Sequence, residues 1–240
     1  MFGLANPERF MRFSAPLTAP AWGLAAVLLA VGTWLSFQAP PDYQQGDGVR
    51  MMFVHVPAAT LGLMAYGALG SASLASLIWR HPLADAAARA AAVPGATFTF
   101  LALITGAIWG KPMWGVWWTW GDARLTSVLV LFLFYLAYMA LRSAIEDEAR
   151  AARAAAVLGV VGLINLPIVK FSVDWWNTLH QPASLLRADG PAMTAAYLAP
   201  LLTMMAGYAA LFLAVWLTGI RTEILGRRVR TLAARRAAEA

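Results

Sequence analysis

The chain has 240 residues, of which 60% are hydrophobic and 12% are charged, and its mean hydropathy is positive. This composition excludes an ordinary water-soluble domain, because most of the side chains would lack an apolar environment. The net charge is +6. Cysteine is absent, and its absence excludes disulfides and thiolate metal sites.

Apolar runs without charged residues recur six times along the chain. They occupy residues 13–41, 51–79, 90–110, 125–141, 154–169 and 192–220. Each is close to or above the roughly 20 residues that cross a bilayer. The first run is followed by no small-residue cleavage pattern, so we expect it to remain as an anchor. The sequence therefore predicts an all-α integral membrane protein with six transmembrane helices, organised as one membrane domain over residues 1–240.

Lysine and arginine are distributed unevenly between the two sides of such a protein. With six spans, both termini lie on one side, and the segments on that side hold 13 of the 18 Lys and Arg residues. Since positively charged segments stay in the cytoplasm, both termini are expected to be cytoplasmic. Three connections then lie outside, at about residues 39–50, 109–127 and 170–193.

Two charged segments are expected on the cytoplasmic side. The tail, about residues 221–240, is basic, but it follows a span directly and has no interleaved aromatic residues, so membrane orientation explains it and no nucleic-acid partner is expected. Residues 142–156 read RSAIEDEARAARAAA, with a helical spacing that predicts an extension of span four or span five into the cytoplasm. A solvated helix end and a docking face for a cytoplasmic partner are the two interpretations of this segment.

The second outer connection is unusually rich in tryptophan. Residues 109–127 read WGKPMWGVWWTWGDARLTS. Five tryptophans fall in the first twelve positions: Trp109, Trp114, Trp117, Trp118 and Trp120. An aromatic belt at the membrane interface explains one or two tryptophans at each span end. Five in one connection favour instead a surface for a flat apolar molecule, such as a lipid, a quinone or a porphyrin.

The spacing within this connection predicts its local structure. Trp114, Trp117 and Trp118 would share one face of a short helix over residues 113–120, lying at the membrane surface, while Trp120 would face elsewhere. Proline and glycine on either side argue against a longer helix.

Histidine narrows the choice of ligand. The chain has only three histidines. His55 lies at the outer start of span two, where Pro57 is expected in the first helical turn. His180 lies in the third outer connection, and His81 falls in a cytoplasmic loop. A single histidine near a span is commonly structural, but two from separate outer segments beside an indole-rich surface indicate haem, whose iron accepts an imidazole on each face.

Two arginines stand close to these histidines and tryptophans in the sequence. Arg50 precedes His55, and Arg124 comes after the last tryptophan of the second connection. A guanidinium group suits the propionates of a haem, because it meets a carboxylate with two parallel hydrogen bonds. Interfacial snorkelling, or pairing with Asp122, is an equally good interpretation.

In combination, these segments resemble the haem exporter protein C family, also named cytochrome c maturation protein C. Residues 109–127 are similar to the tryptophan-rich WWD segment of that family. Residues 50–59, RMMFVHVPAA, and residues 174–184, DWWNTLHQPAS, resemble its two histidine segments in the same order. The resemblance covers about residues 50–184 and includes the plan of six spans.

The resemblance implies a haem-handling protein of cytochrome c maturation in the bacterial inner membrane, rather than an enzyme. Such a protein holds haem b non-covalently at its periplasmic face and delivers it to a periplasmic haem chaperone, and the family name adds haem export. A small single-span subunit and ATP-binding-cassette components are the other implied partners. The axial ligands of the family correspond to His55 and His180. Its aromatic platform and its acidic and basic pair correspond to Trp114, Trp117, Trp118, Trp120, Asp122 and Arg124.

One departure from the family pattern concerns Asp122. Many members have tryptophan directly before the aspartate, whereas Gly121 intervenes here. An extra residue rotates all later residues of a helix by about 100°. A glycine with positive φ at the end of a short helix would absorb the insertion in a turn.

Two other classes of protein remain as alternatives. An electron-transfer cytochrome b subunit also uses paired histidines, but usually places both on membrane helices, whereas His180 is expected in a loop. A quinone-binding or lipid-binding scaffold would use the tryptophans alone, and its histidines would be incidental.

Overall fold

The computed structural model describes residues 6–181, 184–185, 187 and 189–239. Within these residues the named elements are all helical. They are α1 (Pro7–Gln38), α2 (Met52–Trp79), α3 (Pro82–Trp114), α4 (Ala123–Ala144), α5 (Glu148–Val161), α6 (Asn165–Trp175) and α7 (Ala195–Glu239). Short 3-10 helices precede α2 (Asp47–Met51) and join α5 to α6 (Gly162–Ile164).

Six helical units of the described chain are long and apolar enough to cross a membrane, as predicted. The fifth unit combines α5, the second 3-10 helix and α6. A helical extension at the acidic loop is found on both sides, since α4 continues to Ala144 and α5 begins at Glu148, where an extension of one span or the other was predicted. The basic tail continues the last helix, because α7 runs without a break to Glu239.

Polar side chains fix where several helices begin. Asn6 caps α1, and its Oδ1 accepts from the N–H groups of Glu8 and Arg9. Asp147 caps α5 in the same way. His81 caps α3 ahead of Pro82, whose missing N–H costs nothing at the first helical position. These caps satisfy amides that have no partner within their own helix.

Small residues bring neighbouring helices close together. On α1, a Cβ added to Gly32 would lie 2.7 Å from the sulfur of Met204 on α7. On α2, a Cβ added to Gly62 would lie 2.7 Å from Oγ1 of Thr99 on α3. Only glycine permits these approaches, and such close packing is what holds helices together in an apolar solvent.

The buried centre of the bundle joins α2 to α4 through two tyrosines. The rings of Tyr66 and Tyr135 meet edge to face at 4.9 Å, and both side chains are fully buried. The Tyr135 hydroxyl donates to the Gly62 carbonyl at 2.8 Å. This bond satisfies a polar group that would otherwise be costly in an apolar interior.

The helices alternate in direction, so their ends form two groups. At one end, α1, α3 and α6 finish and α2, α4 and α7 begin; we name this the tryptophan end. At the opposite end, the buried carboxylate of Asp85 on α3 accepts from Arg142 on α4 at 2.8 Å and from Arg227 on α7. A buried charge needs such partners, and here they tie three helices together.

One local prediction about α2 is wrong. Pro57 is fully buried inside α2, beyond its first turn. The reason is that helical backbone already begins in the 3-10 helix Asp47–Met51, five residues before α2 starts.

Candidate functional site

The tryptophan segment is mostly an irregular connection between α3 and α4, so the prediction of a short helix over residues 113–120 is wrong. Instead, α3 continues to Trp114 and ends at Gly115. Gly115 has a φ of 76°, a left-handed conformation that glycine adopts readily at a helix end. Its N–H donates to the Lys111 carbonyl and closes the last turn. Trp114 therefore belongs to α3, whereas the later tryptophans lie on the connection.

The tryptophans of the connection are partly exposed. Trp117 and Trp120 are exposed by 58% and 73%. Trp118 meets Trp120 edge to face, with ring centroids 5.5 Å apart. The indole N–H of Trp118 is buried and has no hydrogen-bond partner among the described residues. The exposed ring of Trp120 thus lies next to Trp118, whose buried N–H lacks an acceptor.

Asp122 is buried and holds the start of α4 to the third connection. Its Oδ1 accepts from the N–H groups of Arg124 and Leu125, at 3.0 Å each. Its Oδ2 accepts from the N–H of Leu179 at 2.7 Å. Asp122 is therefore the N-cap of α4 and points into the protein.

The extra residue Gly121 lies in a turn, but it lacks the positive φ that was predicted for it. The positive-φ glycines of the described chain are Gly46, Gly115 and Gly190, so Gly121 does not have the predicted conformation. It lies in a turn that ends at Asp122, whose N–H donates to the Thr119 carbonyl at 3.1 Å. The preceding segment is already irregular, so no helical register is disturbed by the extra residue.

His180 lies in the third connection, as predicted, and packs between Trp114 and Asp122. Its ring centroid is 4.9 Å from that of Trp114. Its Nδ1 is 3.9 Å from Oδ1 of Asp122, and this nitrogen is buried without a hydrogen-bond partner among the described residues. The side chain as a whole is 19% exposed.

Burial lowers the pKa of His180 from its ordinary value to about 4. The charge of Asp122 opposes this shift, and Arg124 and His55 add to it. At neutral pH the imidazole of His180 is uncharged, which is the form that binds a metal.

His55 lies in the first turn of α2, at the tryptophan end, and faces α3. Its Nδ1 is 3.1 Å from Oγ1 of Thr105. Its ring meets Trp109 edge to face at 5.7 Å, and the Trp109 indole N–H donates to Gln45 at 2.9 Å. Both histidines therefore contact tryptophans of α3, one at Trp109 and the other at Trp114.

The two arginines lie at this end, but each already has partners. Arg124 donates from Nε to Ser172 at 3.1 Å and from Nη2 to the Lys170 carbonyl at 3.3 Å, which joins α4 to α6. Within the described residues, Arg124 forms no side-chain ion pair with Asp122, and the ring nitrogen that lies near the Asp122 carboxylate is that of the uncharged His180.

Arg50 is held within its own connection. It pairs with Asp47 at 3.1 Å and donates to the Ala39 carbonyl at 3.2 Å. Its Nε is buried and has no partner in the part of the chain that the structure describes. Arg50 therefore keeps one donor for a further group.

The residues of this end fit a haem. Two imidazoles, one on α2 and one in the third connection, supply the donor type that haem iron takes on its two faces. Buried donors without partners remain on Trp118, on Arg50 and on the His180 ring. No group of three or more His, Asp or Glu residues that could hold a bare metal ion occurs among the described residues.

Three residues of this site were missed by the sequence analysis: Gln45, Thr105 and Ser172. Each is an ordinary polar residue 48 or more positions from its partner, and its role depends on helix packing. No local motif marks them. Trp109 was counted among the tryptophans, but its contact with His55 arises only from the pairing of α2 with α3.

Comparison with known proteins decides the family. The family model described as "Heme exporter protein C" matches residues 1–235. The chain belongs to the haem exporter protein C family. It is 55% identical over 232 residues to a Heme exporter protein C of Bradyrhizobium diazoefficiens, which covers 97% of this chain and 88% of that protein. It is 47% identical over 232 residues to the Paracoccus denitrificans protein of the same name, with 96% of each chain covered. The Escherichia coli K12 protein of that name is 44% identical over 203 residues, covering 84% of this chain and 81% of its own.

Family membership and the six apolar helices together make this chain a multi-pass protein of the bacterial inner membrane. A putative cytochrome c biosynthesis protein of Marchantia polymorpha mitochondria is also similar, at 42% identity over 221 residues. The matches cover between 81% and 96% of the length of these relatives.

Proposed function

We propose that this protein binds haem b non-covalently at its tryptophan end and delivers it to a periplasmic haem chaperone during cytochrome c maturation. His55 and His180 are the axial ligands of the iron. The exposed faces of Trp117 and Trp120 contact the edge of the porphyrin and the chaperone. Arg50, through its free Nε, and Arg124 lie near the propionates.

The observation that carries this proposal is the placement of the two histidines. They come from separate segments that meet at the tryptophan end, and each contacts a tryptophan of α3, His55 at Trp109 and His180 at Trp114. A haem held in this way has one ligand on a rigid helix and one in a connection.

The role of Asp122 differs from that implied by the family resemblance. Its carboxylate accepts hydrogen bonds from the first N–H groups of α4 and from the N–H of Leu179, so it stabilises the site without facing the ligand. The aspartate thus shapes the connection that carries His180.

Orientation and partners belong to the same proposal. The excess of lysine and arginine at the end opposite the tryptophans favours cytoplasmic termini, with the tryptophan end in the periplasm. ATP-binding-cassette components and a small single-span subunit are the partners within the membrane. Haem export by this chain itself would need a polar path through spans that are mainly apolar in composition.

The test is haem transfer between purified proteins. The full chain, purified from haem-replete cells, should show a six-coordinate low-spin haem spectrum and lose it when the purified chaperone is added. Trp117→Ala should slow this loss, whereas Trp79→Ala should not, because Trp79 is a similarly exposed tryptophan at the opposite end of α2. Haem that stays bound in the presence of the chaperone would favour an electron-transfer cytochrome. A protein without haem would favour a quinone or lipid scaffold.

A further inference from the structure

The hydrogen bonds of Thr105 determine which nitrogen of His55 carries the proton. The Thr105 hydroxyl donates its single proton to the Leu101 carbonyl, at 2.7 Å, as threonines inside helices commonly do. It can then only accept from His55, whose Nδ1 lies 3.1 Å away. His55 is therefore protonated at Nδ1, and the lone pair of its Nε2 is free.

The surroundings of His180 lead to the same tautomer by a different route. Its Nδ1 is buried, has no partner within hydrogen-bond distance in the described residues, and lies 3.9 Å from the carboxylate of Asp122. A carboxylate only accepts hydrogen bonds. A bare nitrogen lone pair facing it would be repelled, so the proton belongs on Nδ1 and the Nε2 lone pair is again free. A small movement of the connection would close this gap to a hydrogen bond.

The third histidine has the opposite tautomer. His81 accepts from the N–H of Leu83 through its own Nδ1, at 3.2 Å, and is therefore protonated at Nε2. Since the chain has only three histidines, His81 serves as an internal reference for the other two.

We infer that Thr105 and Asp122 are positioning residues, which hold His55 and His180 as Nδ1–H tautomers with Nε2 directed to the iron. This inference rests on the proposed function and assigns the two ligands unequal strength. A carboxylate that accepts from a ligating imidazole makes the ligand more basic than a neutral hydroxyl does. His180 is therefore the stronger ligand of the iron, and His55 is the weaker one.

The tautomers can be measured without haem. The full chain, labelled with 15N-histidine and purified from haem-starved cells, is examined by NMR at pH 7.5, and His81→Gln identifies the reference signals. Two histidines should show the shifts of Nδ1–H imidazole and one those of Nε2–H imidazole. Finding His55 or His180 mainly as the Nε2–H tautomer would overturn the inference, and Thr105→Val should change the signals of His55 alone.

The unequal strength is tested in the haem-bound protein. Asp122→Asn should weaken haem retention by roughly 10- to 100-fold and raise the reduction potential, because the electron-rich partner of His180 is lost. Asn keeps one oxygen for the α4 cap but turns a donor toward the N–H of Leu179, so the reduction potential, rather than retention alone, measures the loss of the negative charge beside His180. Thr105→Val should weaken retention by less than about tenfold, and Thr105→Ser should restore it. Thr97→Val is the matched control, since Thr97 lies on the same helix and bonds Val93 in the same way but is exposed to the outside of the bundle.

The outcomes separate this inference from the proposed function. If the parent has a bis-histidine spectrum but Asp122→Asn and Thr105→Val both behave like Thr97→Val, only the assignment of positioning residues fails. An equal effect of the two variants overturns the assigned difference in ligand strength. If single variants of His55 and His180 keep unaltered spectra, both the proposed function and this inference are contradicted.

Discussion

Replacing Asp122 by alanine tests how strongly the tryptophan end depends on one buried carboxylate. The change removes the N-cap of α4, which typically costs about 1 kcal/mol. It also leaves the N–H of Leu179 without its acceptor, which costs roughly 1–3 kcal/mol for a buried donor and less here because Leu179 is partly exposed. Together these losses give an expected destabilisation of about 2–3 kcal/mol.

Asp147→Ala is the matched control, because Asp147 caps α5 by accepting one exposed hydrogen bond from the backbone N–H of Arg150. Its expected cost is about 0.5 kcal/mol, near the lower limit for a lost cap. Thermal unfolding of both variants in the same detergent should place Asp122→Ala below Asp147→Ala in apparent Tm. Hydrogen exchange should also accelerate in residues 176–181 of Asp122→Ala alone. Equal Tm values, or unchanged exchange in that segment, would refute the argument that Asp122 ties α4 to the third connection.

Three other results are expected. Cysteine introduced at Val116 should react with an impermeant thiol reagent applied from the periplasmic side, and cysteine at Ala84 should not; the reverse labelling would invert the orientation. Trp118→Ala should weaken haem transfer without unfolding the protein, and combining it with Trp117→Ala should nearly abolish transfer; normal transfer by the double variant would reduce the tryptophans to an interfacial belt. In the haem-free protein, the unfolded state takes up a proton at His180 near pH 6.5 and the folded state only near pH 4. As the pH is lowered from 6.5 to 4, the free energy of unfolding should therefore decrease by on the order of 3 kcal/mol. A flat stability curve over this interval in the parent, identical to that of His180→Gln, would contradict the burial of this ring.

The six spans could be predicted because each is a long run of apolar residues, a signal that survives without any knowledge of neighbours. The positions of His180 in a connection and of His55 at the start of a span were inferred from the same runs. The end of α3 was not predicted, because the third apolar run stops at residue 110 whereas the helix continues past Lys111 and Pro112 to Trp114.

The detailed contacts of the site could not be predicted, since they join residues far apart in the sequence. Thr105 reaches His55 only because α2 and α3 pack antiparallel with Gly62 against Thr99. Asp122 was interpreted as a possible partner of the haem or of Arg124, but helix capping takes priority, because the first amides of α4 otherwise lack acceptors. The roles of the tryptophans and of the arginines toward haem stay predictions.

The central claim, that His55 and His180 ligate one haem iron from its two faces, is tested most directly by the optical spectra of two purified variants, His55→Ala and His180→Ala. Each should lose the six-coordinate low-spin signature of the parent and regain it when imidazole is added, because a small imidazole can fill the vacated position. His81→Ala, which removes the histidine at the opposite end of the bundle, should leave the spectrum unchanged. If either site variant keeps the parent spectrum without added imidazole, that histidine is not an axial ligand and the account of the site is contradicted.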